Sequence, residues 1–290
     1  MDRALQYGDH NVQNNFFGVV PARSAYRLQV QRIAPESLRG RESELAELRA
    51  FCAAPRGPAW TWWRAPPWAG KSALMSTFAL GDWPGLRVVP FFVTARFGGQ
   101  HDRIGFTDAV MNQLAALLRE PGPGEVTDST REIVFLDLLT RAAAAARQGN
   151  ERLILLVDGL DEDQGFTTSH HAHSIAALLP AEPPHGMRII VTSRPHPPVP
   201  GDVPAGHPLH DPGIIRDLSP SPDADVVRMD MEREIKRLLQ GEPAQRDLVG
   251  LIAAAGGGLS AADLAVLMDA SVREVADQLA TVTGRSFSAR

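Results

Sequence analysis

One short stretch restricts this chain more than any other. Trp60-Thr61-Trp62-Trp63 is aromatic and β-favouring and reads as a buried strand. It leads through Ala65-Pro66-Pro67-Trp68-Ala69-Gly70-Lys71-Ser72 into a helical pattern over 71–80, with Leu74 and Phe78 four apart on one face. Strand, loop, helix in that order aims backbone N–H groups and a helix N-terminus at an anion. The loop follows G-x-x-x-x-G-K-[ST], except that Ala65 stands at the first glycine. Pro66 and Pro67 have no N–H to give. Phosphate binding is therefore expected from Trp68, Ala69, Gly70, Lys71, Ser72 and Ala73. Lysine usage points the same way. Only Lys71 and Lys236 are lysines among 29 basic residues. A compact ammonium on a flexible stem suits a single phosphate oxygen.

A second pattern belongs with the first. Leu153-Ile154-Leu155-Leu156-Val157 is an unbroken apolar run, as in a strand covered on both faces. It ends in Asp158-Gly159-Leu160-Asp161-Glu162-Asp163. A carboxylate at the C-terminal end of a buried parallel strand is where a Mg²⁺-linked acid belongs beside a phosphate loop. Ser72 and Asp158 are thus the expected metal-side pair. Met187-Arg188-Ile189-Ile190-Val191-Thr192 is another buried-strand pattern and ends in Ser193-Arg194-Pro195. An arginine at that strand tip can reach a γ-phosphate.

Further strands and helices fill in the organisation. Residues 87–93 read as a strand that Pro90 moves toward a sheet edge or bulge. Helices are expected over 41–53, 104–119, 130–148 and 171–179, and a proline-rich loop over 195–213. Strands alternating with helices give a parallel sheet wrapped by helices. Residues 1–37 read as an extended, loosely attached leader. After residue 222 no strand is apparent. Helices are suggested at 223–240 and 245–255, followed by helix starts at Ser260 with Asp263 and at Ser271 with Glu274, both in capping-box spacing.

Composition excludes several classes. The net charge of −5 gives no reason to expect nucleic-acid binding. Cys52 is the one cysteine, so there is no disulfide framework; it reads as a small core residue. No apolar run reaches the ~18 residues of a membrane span, and no secretory signal is apparent, so a cytoplasmic location is expected. His170, His171 and His173 cluster without a cysteine nearby, a poor set for zinc.

The strand ending in Asp158-Gly159-Leu160-Asp161-Glu162 resembles that of the NACHT NTPases, members of the STAND class of signalling ATPases. Gly40-Arg41-Glu42, with Leu45 and Leu48, is similar to the segment that lies near adenine in that family. Thr192-Ser193-Arg194-Pro195 resembles its sensor strand, and residues 8–18 resemble a leader common before bacterial NACHT modules. The resemblance covers roughly residues 38–290. It implies an α/β phosphate-loop NTPase domain over 38–218, a helical linker over 219–245 and a partial winged-helix domain over 246–290.

It also implies ATP or ADP with Mg²⁺ as ligands, and slow hydrolysis that works a signalling switch, in bacteria often in defence. Gly40 and Arg41 would lie by the base, Glu162 or Asp161 would activate water, and Arg194 would sense the γ-phosphate. Self-oligomerisation on activation and an unidentified sensor or effector partner are implied as well. Two other readings stand beside it: a nucleotide-binding scaffold without turnover, and a nucleic-acid regulator built on the winged helix. The expected recognition helix, 271–282, sets Arg273 against Glu274 and Asp277, a face that repels phosphate.

Overall fold

The computed structural model describes residues 22–67, 69–94, 100–163, 173–196, 198–220, 236, 239–254 and 260–275. Five parallel strands form one sheet: β1 (Trp60–Arg64), β2 (Leu86–Phe92), β3 (Arg152–Asp158), β4 (Arg188–Ser193) and β5 (Ile215–Asp217). Their spatial order is β2-β3-β4-β1-β5. The two strands that carry the sequence motifs, β1 and β3, are therefore not neighbours; β4 lies between them. Register aligns their ends, with Val157 opposite Val191, Trp63 opposite Thr192 and Arg64 opposite Ser193. Asp158, Thr192 and the start of the loop after Arg64 thus share one edge of the sheet.

β3 and β4 are buried along nearly their whole length, as strands covered by helices on both faces should be. Helices α2 (Glu42–Ala53), α3 (Lys71–Leu80), α4 (Arg103–Leu118) and α5 (Asp128–Gln148) supply the cover. Phe91, Phe106 and Phe135 form an aromatic chain in the core, with ring centroids 5.2 and 5.5 Å apart. Cys52 is fully buried in the same core, and burial pushes its thiol up to about 12. Arg152 and Arg188 donate to the carbonyls of Cys52 and Ala54 at the C-terminal end of α2, where cations offset the helix dipole.

Pro90 sits where an edge strand tolerates it. In a strand the N–H and C=O of one residue point to the same side. Gln113 Nε2 donates to the Pro90 carbonyl at 2.9 Å, so the side on which proline lacks a donor is the outer one.

The structure departs from expectation in two places. Residues 22–33 are not extended: Ala22–Ile33 is a helix, α1, which packs against α3 and α4. Tyr26 and Val30, four apart, are buried in the main core. The Tyr26 hydroxyl accepts a hydrogen bond from the outward N–H of Phe92 at 2.8 Å, closing the exposed edge of β2. Tyr26→Phe should leave that buried N–H unpaired and cost about 1–3 kcal/mol in a urea unfolding titration; an unchanged midpoint would show that this hydrogen bond adds nothing to stability. The second is an addition: β5, a three-residue strand just beyond the expected loop over 195–213, in a stretch given no element from sequence, pairs with β1 through Trp62–Ile215 and Trp63–Arg216.

A separate small cluster of Leu248, Leu264, Ala265 and Val275 joins α6 (Pro243–Ala254), α7 (Ala261–Leu267) and the turn after Ser271. Ser260 and Asp263 form the expected reciprocal capping box, and Ser271 and Glu274 do the same. Among the described residues no strand follows Asp217. The expected leader over 1–21, the core of the helix over 223–240, and the recognition helix beyond Val275 lie outside the described residues, as do His170 and His171. No described helix is long and apolar enough to cross a membrane.

Candidate phosphate-binding site

The edge shared by β1, β3 and β4 collects most of the residues singled out by sequence. β1 ends at Arg64, and Ala65 still donates to Ser193 O at 3.2 Å, so the loop begins as a continuation of the ladder. This explains why Ala65 can replace glycine. It is not among the described residues with positive φ, so the position makes no demand that only glycine meets. Gly70 does meet one: at φ 86° it turns left-handed as the N-cap of α3. Its successors Lys71, Ser72 and Ala73 form the first turn of that helix, whose N–H groups have no partner within the helix. Trp68 lies outside the described residues.

Lys71 is half-buried over the loop. Its Nζ donates to Ala65 O at 2.7 Å and Pro66 O at 3.2 Å. Burial pulls its pKa below the usual lysine value, and the Asp161 and Asp158 carboxylates offset part of that effect. A third anion placed here would meet a cation already partly stripped of water.

Asp158 is buried at the end of β3. Ser72 Oγ donates to its Oδ2 and Thr192 Oγ1 to its Oδ1, each at 2.6 Å. Thr192 Oγ1 in turn accepts from Gly159 N at 3.0 Å. Gly159 has φ 83°, and a Cβ there would lie 3.1 Å from Val93 O, so backbone approach as well as conformation calls for glycine. Burial raises the Asp158 pKa, while the two hydroxyl hydrogen bonds and Lys71 pull it down. One hydroxyl and one carboxylate converging in this way suit Mg²⁺, which takes few protein ligands and fills its shell with water and phosphate oxygens. No group of three or more His, Cys, Asp or Glu side chains among the described residues forms a metal cage.

The two remaining carboxylates differ. The Asp161 side chain is 6% exposed and that of Glu162 44%. Asp161 accepts from the Arg194 backbone N–H at 2.9 Å and from its Nε at 3.0 Å. Glu162 Oε1 stands 4.0 Å from Arg194 Nη2. Both lie in the 3₁₀ turn Leu160–Glu162 that directly follows Gly159.

Arg41 has a place that sequence did not signal. Its guanidinium is buried, donating from Nη2 to Ala69 O at 2.9 Å and to Ser219 O at 2.6 Å, with Glu44 on Nη1. It thus ties the phosphate loop to the chain leaving β5. Gly40 precedes it in the turn before α2. Thr192 was read only as part of a strand tip, and its bond to Asp158 makes it a member of the site. Sequence could have suggested it, since a hydroxyl at the end of the strand next to the acidic one faces that acid.

The fold is a five-stranded parallel α/β sheet wrapped by helices, with a strand, loop and helix placed at one edge in the order of a phosphate loop. No protein-family model and no curated protein sequence matches the chain. Among solved structures it is similar to a Walker-type ATPase of Pyrococcus abyssi, with 13% identity and a TM-score of 0.40 over 76% of this chain and 64% of that one. It is also similar to Drosophila ORC bound to DNA, with 14% identity and a TM-score of 0.39 over 90% of this chain and 66% of that one. The Aeropyrum pernix ORC2 protein in ADPNP–ADP complexes gives 15% identity and a TM-score of 0.39 over 87% of this chain and 71% of that one. The chain thus spans about two thirds of the length of the first two.

Proposed function

We propose that this chain binds and slowly hydrolyses a nucleoside triphosphate, ATP being the first candidate, with Mg²⁺, and that it works as a nucleotide-dependent switch. The observation that carries this reading is the convergence of Ser72 and Asp158 beside Lys71 at the N-terminus of α3. In it, Lys71 holds β- and γ-phosphate oxygens and the amides of the loop and first helical turn cradle them. Ser72 and Asp158 hold the metal, with Thr192 orienting the carboxylate. Bound Mg²⁺ supplies charge neutralisation of the phosphates. Glu162 orients and deprotonates the attacking water, and Arg194 meets the γ-phosphate.

The finer reading is a NACHT-like module of the STAND class, with an NTPase unit over 38–218, a linker over 219–245 and a partial winged-helix unit over 246–290. It rests on the sequence resemblance. Signalling, a place in bacterial defence, self-assembly on activation and a cytoplasmic location belong to that same reading. Gly40 and Arg41 come near the base in it; the bonds from Arg41 to Ala69 O and Ser219 O add a task in shaping the loop.

Lys71→Ala tests the core of the proposal. Charge-assisted contacts are worth about 1.5–3 kcal/mol each, so affinity for Mg²⁺-nucleotide should fall at least roughly tenfold. Circular dichroism should be unchanged, because Lys71 makes only two loop hydrogen bonds. Calorimetry showing parental affinity in this variant would remove the phosphate-loop assignment.

A further inference from the structure

The cations of the site are not idle in the ligand-free protein, and Arg194 is held in a particular way. Its backbone is fixed from two sides. Asp161 Oδ1 accepts its N–H at 2.9 Å. On the other side Trp62 Nε1 donates to Ser193 Oγ at 2.9 Å, and Ser193 Oγ donates to Arg194 O at 2.7 Å. The pivot is therefore rigid. The arm is not: the Arg194 side chain is 49% exposed, and its Nε rests on Asp161 Oδ2 at 3.0 Å. Asp161, by contrast, is almost wholly buried. The pair stands beside the phosphate-loop lysine, since Asp161 and Arg194 act on the Lys71 ammonium with opposite sign.

A carboxylate and a phosphate oxygen compete for the same planar fork of donors. From this geometry we propose that Asp161 is the residue that sets discrimination between tri- and diphosphate. It keeps the Arg194 guanidinium parked until a γ-phosphate offers a better acceptor, while its second oxygen keeps the Arg194 backbone in place. This rests on the nucleotide reading above and deepens it. A diphosphate presents nothing at the γ position to draw the arm away, so only the triphosphate has to break the contact. Asp161 is in this account a positioning residue, and the cost of leaving it is borne by one ligand and not the other. A ligand shifts such an equilibrium only by its differential affinity for the two arrangements.

Asp161→Asn keeps an oxygen for the Arg194 backbone N–H and removes the charge that holds the guanidinium. The test is a double-mutant cycle of Asp161→Asn and Arg194→Gln. Affinities would be measured by calorimetry for Mg²⁺-ADP and for a non-hydrolysed Mg²⁺-ATP analogue, with Lys71→Ala as reference. The pair is half-exposed and solvent-screened, so Asp161→Asn should tighten the triphosphate analogue by about three- to tenfold and change ADP much less. In the Arg194→Gln background the selective gain should vanish, and Arg194→Gln alone should lower the preference for triphosphate. Equal tightening of both ligands, or a gain that survives without Arg194, would reduce Asp161 to a general source of repulsion and overturn the proposal. Weaker triphosphate binding in Asp161→Asn would overturn it as well. If the parent chain bound neither ligand in a Lys71-dependent way, the nucleotide reading itself would fall and take this one with it.

Discussion

Glu162→Gln is expected to retain Mg²⁺-nucleotide binding while turnover falls by about 10²–10⁴-fold, the range contributed by a positioned general base. Two carboxylates follow Gly159 in the same turn, and sequence alone offered both for the role. Their surroundings separate them. Asp161 spends its oxygens on the main chain and side chain of Arg194, and its side chain is 6% exposed. Glu162 is 44% exposed on the outer side of the turn, within reach of solvent. Amide for carboxylate keeps the shape and one acceptor oxygen but removes the basic oxygen, so binding and chemistry should part company. Phosphate release under single-turnover conditions, set against calorimetric affinity, reads both. Unchanged turnover in Glu162→Gln together with its loss in Asp161→Asn would exchange the two roles.

Asp158→Asn should act in opposite directions on stability and on function. Asp158 is a buried acid whose pKa is raised above its ordinary value by desolvation. For such a group the fold favours the neutral form. Its contribution to stability is complete below the unfolded pKa of about 3.9 and is lost as pH rises through the higher folded value. At neutral pH the charge is a cost to the ligand-free fold. Asparagine removes that cost: one of the Ser72 and Thr192 hydroxyls can still donate to its Oδ1 while the other turns to accept from its Nδ2. The ligand-free variant should therefore melt higher, by roughly 2–4 °C per kcal/mol relieved. The same change removes the one carboxylate paired with Ser72, so added Mg²⁺ should no longer strengthen nucleotide binding. Thermal scans with and without Mg²⁺-nucleotide check both halves. A lower melting point with Mg²⁺ dependence intact would contradict the roles given to this residue.

What sequence revealed, and what it hid, follows from the range of the interactions involved. β3 and β4 were legible because burial on both faces leaves continuous apolar runs. The Gly70-Lys71-Ser72 turn was legible because its chemistry is local. β5 escaped because three residues, Ile215–Asp217, carry no periodicity, and their identity as a strand comes from pairing with Trp62 and Trp63. Helix α1 escaped because its sequence is mostly polar; Tyr26 and Val30 are buried and Ile33 packs against the core, and so short a stripe is a faint signal. The roles of Arg41 and Asp161 were hidden for a different reason. Their partners are the carbonyls of Ala69 and Ser219 and the backbone and side chain of Arg194, and no local pattern announces which distant main-chain atom a side chain will meet.

The Arg41 guanidinium has a consequence for how the protein opens. Its two main-chain acceptors, Ala69 O and Ser219 O, lie on either side of strands β2 to β5 in sequence, yet they depend on one donor group. Lifting the exit of β5 removes one of the two acceptors that hold the Arg41 guanidinium in place, and so loosens the group that also ties down the phosphate loop. In hydrogen-exchange terms the two segments form a single opening unit, so their amides should share one protection free energy. A pull on the chain beyond Ser219 should therefore reach the loop through Arg41.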